Sequence, residues 1–124
     1  QVESQGARMT LTIWARVKSA LAGMGLPVDN NRLLGKKGEK LPDRYITYQV
    51  ISTVPEAHVD DREVLRSYLV QVNLWSRDGF ESFPDVEAAM SAAGFLFQAE
   101  RDMDYTDTDH FGQSKDFLFV EEKE

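Results

Sequence analysis

Residues 64–76 (VLRSYLVQVNLWS) alternate so regularly that they constrain most of what this chain can become. Tyr68, Val70, Val72 and Leu74 point one way; Leu69, Gln71, Asn73 and Trp75 point the other. That two-residue period marks a strand with one apolar and one mixed face. Such a strand needs hydrogen-bonded neighbours and a cover for its apolar side. The Tyr-Val-Val-Leu side is the expected core side, with the mixed face partly covered. Residues 45–54 (YITYQVISTV) supply the first neighbour, β-branched and aromatic throughout, with Ile46, Tyr48 and Val50 on one face. Between the two, residues 55–63 (PEAHVDDRE) read as a polar loop closing a wide antiparallel hairpin.

The cover is legible as two helices. Leu11, Trp14, Val17 and Leu21 recur at three- and four-residue spacing, with Thr10 or Thr12 placed to cap the start and Gly23 or Gly25 with Pro27 to stop it. A second helix is predicted from about Ser82 to Ala93, with Pro84 in its first turn, a stripe of Phe83, Val86, Met90 and Ala93, and Gly94 as its left-handed stop. Residues 95–101, with Phe95, Phe97 and Ala99 on one side, and residues 115–121, with Phe117 and Phe119, form a further hairpin. The aromatics, Trp14 and Trp75 included, read as core. Residues 28–44 (VDNNRLLGKKGEKLPDR) have no sustained period and read as a long loop. The expected fold is therefore α+β, in αββαββ order: a four-stranded, mainly antiparallel sheet with two helices on one face.

The length of 124 residues fits a single domain, here residues 9–124, with residues 1–8 read as a tag remnant ahead of a start at Met9. The absence of cysteine removes disulfides, thiolate metal sites and cysteine nucleophiles. No apolar run approaches the roughly 20 residues of a membrane span, and no signal-peptide pattern opens the chain. Net charge is −7, and residues 100–124 carry −6 of it, nine acids against Arg101, Lys115 and Lys123. Nucleic-acid affinity draws on clustered Lys and Arg that release counterions, so this surface is one that DNA passes without sticking. The 28–44 loop is locally +2 and opposes the acidic end in sign.

Chemistry-bearing residues are few. Asp102, Asp104, Asp107, Asp109 and His110 fall within nine positions, but without the internal glycine and distal glutamate of a calcium loop, so a solvated hairpin is the simpler reading. His58 stands in a loop with Asp60 and Asp61, unaccompanied by any nucleophile elbow, zinc helix or phosphate loop. No catalytic residue, metal or cofactor is expected.

Two stretches, Pro42-Asp43-Arg44-Tyr45-Ile46-Thr47-Tyr48-Gln49 and Arg66-Ser67-Tyr68-Leu69-Val70-Gln71-Val72-Asn73-Leu74-Trp75-Ser76, resemble the tail-terminator, or tail-completion, proteins of long-tailed bacteriophages and prophages. That family is similar in showing a P-Y-I-x-Y strand, then Y-x-V-Q-V-x-x-W-S, then a helix ending in glycine before a strand, here Gly94-Phe95. The segment from Tyr105 to Phe111, followed by Lys115-Asp116-Phe117-Leu118-Phe119, follows the family turn more loosely, with Thr108 only two residues before His110. The resemblance spans about residues 9 to 121.

The resemblance implies a non-enzymatic structural role in virion assembly. A ring of copies, expected to be six, would cap the tail tube and stop its polymerisation. It would also present the head–tail joining surface, with DNA passing through the lumen and no membrane involved. Its partners would be itself, the major tail tube protein and a head-completion or connector protein. It would be made in the host cytoplasm and reside at the head-proximal end of the tail. Expected interface residues are Arg32, Lys36, Lys37, Lys40 and Arg44 in the first loop, His58, Asp60, Asp61 and Arg62 in the second, and Asp102, Asp104, Asp107, Asp109 and His110 in the last hairpin. The alternatives are a head-side neck or connector protein, a small metal-dependent enzyme, and a monomeric binding module.

Overall fold

A computed structural model describes residues 12–30, 42–79, 83–103 and 110–122. Helix α1 (Ile13–Leu21) starts at Thr12, whose hydroxyl accepts a hydrogen bond from the Ala15 N–H at 3.1 Å, the preferred chemistry for an N-cap. Its buried stripe is Ile13, Val17 and Leu21. Trp14, expected on that stripe, is 47% exposed, because Ile13 occupies the position four residues before Val17 and turns Trp14 about 100° away. A short 3₁₀ turn (Ala22–Met24) and Gly25, at φ 76°, end the helix.

The sheet corrects the sequence reading. Among the described residues it has five strands rather than four, β1 (Val28–Asn30), β2 (Arg44–Val59), β3 (Arg62–Ser76), β4 (Leu96–Met103) and β5 (Phe111–Glu122), in the order β1-β2-β3-β5-β4. It is mixed, since β1 runs parallel to β2, pairing Val28 with Ile46, while every other pairing is antiparallel. β1 comes from the segment read wholly as loop: three residues are too short to show a period. The Pro27 carbonyl accepts the Ile46 N–H at 2.9 Å and Val28 packs on the core.

The second correction concerns residues 55–63. β2 continues to Val59 and reverses through Asp60 and Asp61, at φ 52° and 63°, directly into β3. Two consecutive positive-φ residues make the tight hairpin turn whose twist matches the strands. The third is at Gln98, an extra residue in β4: Phe97 pairs with Phe117 but Ala99 with Asp116. This bulge puts Ala99 on the face opposite Phe97; Phe97 stays on the helix side beside Phe117 and, on the edge strand, is 41% exposed.

Helix α2 (Val86–Ala92) is shorter than expected, with Asp85 outside it as N-cap, its carboxylate accepting from the Ala88 N–H at 3.1 Å. Its end is a Schellman motif. Gly94 sits at φ 94°, its N–H donates to the Ser91 carbonyl at 3.0 Å, and the Phe95 N–H donates to the Met90 carbonyl at 3.0 Å. That turn drops Phe95 into the core beside Met90.

Both helices lie on one face of the sheet. There Tyr48, Val70, Val72, Leu74 and Phe117 meet Val17, Leu21, Val86 and Met90 in one cluster. The Tyr-Val-Val-Leu side is thus the buried side, while of the aromatics read as core Trp14 and Phe97 are exposed and Trp75 is half-buried.

Burial also shows in the tyrosines. Desolvation raises the phenol pKa of Tyr45 and Tyr48 above the ordinary 10.0, with Arg77 pulling Tyr45 back and Asp29 pushing Tyr48 further up. A raised folded-state pKa means the stability from neutral phenols is complete below pH 10.0 and is lost as pH rises through the folded values. Melting temperature should therefore hold to about pH 9.5 and fall above it. Tyr48→Phe should shallow that fall in a melt series from pH 8 to 12; an unchanged slope would contradict the assignment.

Candidate functional site

Two features of the fold extend beyond what the core needs: the far end of the β2–β3 hairpin, and the sheet face without helices. β2 and β3 are 16 and 15 residues long, roughly 50 Å at about 3.3 Å per residue. Helix-side burial ends near Val50 and Tyr68, and β2 is exposed from Ile51 to Val59 except at half-buried Ala57. Beyond that point β2 carries three exposed apolar side chains, Ile51, Val54 and Val59, while β3 stays paired with β5 as far as Leu65, so that only the tip from about His58 to Glu63 projects as an arm. The two strands are tied by the Ser67 hydroxyl donating to Glu56 at 2.6 Å and by a two-pronged Arg66–Glu63 pair. Hydrogen bonding to Glu63, then to Tyr68, raises the Arg66 pKa further above its ordinary range.

His58, Asp60, Asp61 and Arg62 come together at the tip of this arm, all exposed. Arg44 is exposed at the opposite end of β2, and Asp102 is exposed near the end of β4, accepting from the Gln113 amide at 3.3 Å. His110 departs from expectation. It is fully buried, its Nε2 donates to the Pro42 carbonyl at 2.8 Å, and its ring sits edge-on to Tyr45 at 5.2 Å. It ties the start of β5 to the approach to β2 and does not present a surface. Arg32, Lys36, Lys37, Lys40, Asp104, Asp107 and Asp109 lie outside the described residues.

The helix-free face was not singled out by sequence, and register is what reveals it. Its rows run across β2, β3, β5 and β4. Tyr45, Trp75, Gly112 and Met103 form one; Thr47, Asn73, Ser114 and Arg101 the next; Gln49, Gln71, Asp116 and Ala99 a third; Ser52, Leu69, Leu118 and Leu96 a fourth. Val54, Ser67 and Val120 follow at the base of the arm. The face is therefore banded, polar in the middle and apolar towards the arm, where Leu96 is 58% and Val120 47% exposed.

The polar band is only partly satisfied. Gln49 donates to Gln71 at 2.9 Å, Trp75 Nε1 and Asn73 Nδ2 donate to the Thr47 hydroxyl at 3.2 and 3.5 Å, and Arg101 donates to Asp116 Oδ2 at 3.2 Å. Asn73 Oδ1, Ser114 Oγ and Asp116 Oδ1 are buried without a hydrogen-bond partner. Asn73 and Ser114 are paired across β3 and β5, with Asp116 one row along, so the three atoms share one patch. Buried polar atoms normally find partners, and orphans cost about 1–3 kcal/mol each.

Of the two edge strands, β1 and β4, the second is poorly suited to strand addition. On β4 the Gln98 side-chain amide donates to the Leu96 and Phe97 carbonyls of its own strand, beside the bulge and followed by Glu100, Arg101 and Asp102. The outer edge of β2 is broken by register shifts after Val50 and Pro55. Bulges, proline and charge are the usual devices against edge pairing. On the helix-free face Thr47, Asn73 and Ser114 are buried, and the exposed part is the apolar end at Leu96 and Val120.

On the helix side, Lys115 is buried against Glu100 and Glu87, with Phe97 beneath its ammonium at 5.7 Å. Two open clefts lie there. One, of about 530 Å³, is bounded by Asp85, Glu87, Ser91 and Phe97, and the other, of about 340 Å³, by Arg16, Ser19 and alanines of both helices. Neither is lined by a histidine. Among the described residues no group of three or more His, Asp or Glu is placed to hold a metal ion, and no helix is long and apolar enough to cross a membrane.

Comparison with protein-family models and with curated protein sequences finds no match to this chain.

Proposed function

We propose that this protein is a structural assembly subunit of tail-terminator type, in which copies, six in the family it resembles, close into a ring that caps a phage tail tube and offers a joining surface to the head. The observation that supports this best is the arm. A hairpin that leaves the core with Ile51, Val54 and Val59 in solvent gains nothing in an isolated monomer. Laid on a different surface of a neighbour, it forms the head-to-tail contact that generates rings. The exposed Leu96 and Val120, at the apolar end of the helix-free face, offer a second surface of that kind. The −7 net charge suits a channel through which DNA slides.

Light scattering on a sizing column over a concentration series, with negative-stain imaging, tests the reading together with incubation on purified tail tubes. The expected result is a closed ring, free or at tube ends. Binding to tailless capsids instead would assign the head side. Strict monomers that also ignore tube ends would overturn the proposal.

A further inference from the structure

Resting on that ring reading, we infer that one contact between copies is the basic segment Arg32–Lys37 of one chain seated in the cleft between α2 and β4 of the next, its leucines on Leu96 and Phe97 and its lysines beside Glu87 and Asp85. The cleft is built for a ligand of mixed character. Phe95 closes part of its wall, and Leu96 and Phe97, adjacent in sequence, stand in it exposed to solvent. Its volume of about 530 Å³ lies within the roughly 300–1,000 Å³ of binding pockets. Asp85 and Glu87 are exposed at its rim. Lys115 is shared between Glu87 and Glu100, so the three carboxylates keep an excess of negative charge beside an apolar floor.

One stretch of the chain has the matching chemistry. Residues 31–41 (NRLLGKKGEKL) set Leu33 and Leu34 between Arg32 and the pair Lys36 and Lys37. With Lys40 that makes four cations against Glu39, a local +3 in a chain of net charge −7. An apolar pair flanked by cations complements an apolar floor flanked by carboxylates, the arrangement of an interface with an apolar centre and a charged rim.

This segment cannot enter the cleft of its own copy. It leaves β1 at Asn30 and returns at Pro42, so at about 3.6 Å per residue it spans at most about 43 Å. Asn30 is level with Tyr48, whereas Phe97 is level with Val50 through Phe117 and Val70, on the strand at the opposite edge of the sheet. With strands about 4.8 Å apart and about 3.3 Å per residue, the way out to Phe97 is about 20 Å. The way back to Pro42, at the far end of β2, is about 30 Å. The round trip exceeds the chain available. A contact between copies that joins the β1 edge of one to the β4 edge of the next uses unlike surfaces, and that head-to-tail geometry is the one that closes rings.

The chain has no cysteine, so paired cysteines report the contact cleanly. Lys36→Cys with Ser91→Cys in one chain, oxidised free and on tail tubes, is expected to give a ladder of intermolecular disulfides on a denaturing gel and no bond within a chain. Lys36→Cys with Val120→Cys, on the helix-free face, is expected to give no ladder. Lys36→Glu with Lys37→Glu should weaken association about tenfold or more. Adding Glu87→Lys should restore it, a rescue that a misfolded variant would not show. Association without a ladder, or a disulfide within one chain, overturns the segment-in-cleft contact and leaves the ring reading standing. Neither ladder nor association, free or on tubes, overturns both. Association undiminished by Lys36→Glu with Lys37→Glu overturns the contact as well.

Discussion

Phe117→Ala is expected to lower the unfolding free energy by about 3–5 kcal/mol, the range for emptying a fully buried phenylalanine site. Phe117 is wholly enclosed, pairs with Val70 on one side and Phe97 on the other, and meets the Phe97 ring edge-on at 5.9 Å. It lies in the cluster that joins the sheet to Val17, Leu21, Val86 and Met90. Small domains hold only about 5–15 kcal/mol in total, so one substitution removes about a fifth or more. At about 2.1 cal/mol/K per residue of unfolding entropy, the melting temperature should fall by roughly 10–20 °C. Phe97→Ala, at a 41% exposed neighbour, should cost about 1 kcal/mol. Urea unfolding of the two variants side by side decides the matter. Equal losses would mean that β4 and β5 do not sit in the described register.

The contrast between these two phenylalanines also shows what the sequence could and could not disclose. Strict alternation from Tyr68 to Leu74 announces its own buried side, because one face meets helices and the other does not. In β4 the same rule places Phe95, Phe97 and Ala99 together, and it breaks at Gln98, since a bulge leaves no mark in composition. The arm is hidden for another reason. β2 is exposed on both faces there, so it shows no alternation, and Pro55 with the acids around it mimics a loop. The turn itself was in view as Asp60-Asp61, a pair able to take two positive φ values, but without the glycine that usually flags it.

The candidate site was legible in its tip residues and illegible in its face. His58, Asp60, Asp61 and Arg62 are polar, clustered in sequence and exposed, as loop reasoning expects. Asn73, Ser114 and Asp116 are separated by some forty residues and meet only through the β3–β5 register. His110 shows the converse error. A histidine amid aspartates reads as surface chemistry, yet its ring is enclosed against Tyr45 and bonded to a main-chain carbonyl.

Gly112→Val is the second substitution expected to have a large effect, and it acts by crowding. A Cβ at position 112 would stand 2.7 and 3.0 Å from two Trp75 ring carbons and 3.3 Å from the Met103 methyl. The indole therefore lies directly on this backbone, and a branched side chain must lift it. Lifting it strains the Trp75 Nε1 hydrogen bond to Thr47 and the stacking on Tyr45 at 6.1 Å. Overpacking and one lost hydrogen bond together amount to about 2–4 kcal/mol. Tryptophan emission reads it directly: Trp14 is already solvent-exposed and gives a constant background, so a red shift belongs to Trp75. Unchanged emission at undiminished stability would mean the indole does not rest on Gly112. Gly112→Ala, with a single methyl, should fall between the parent and Gly112→Val in stability.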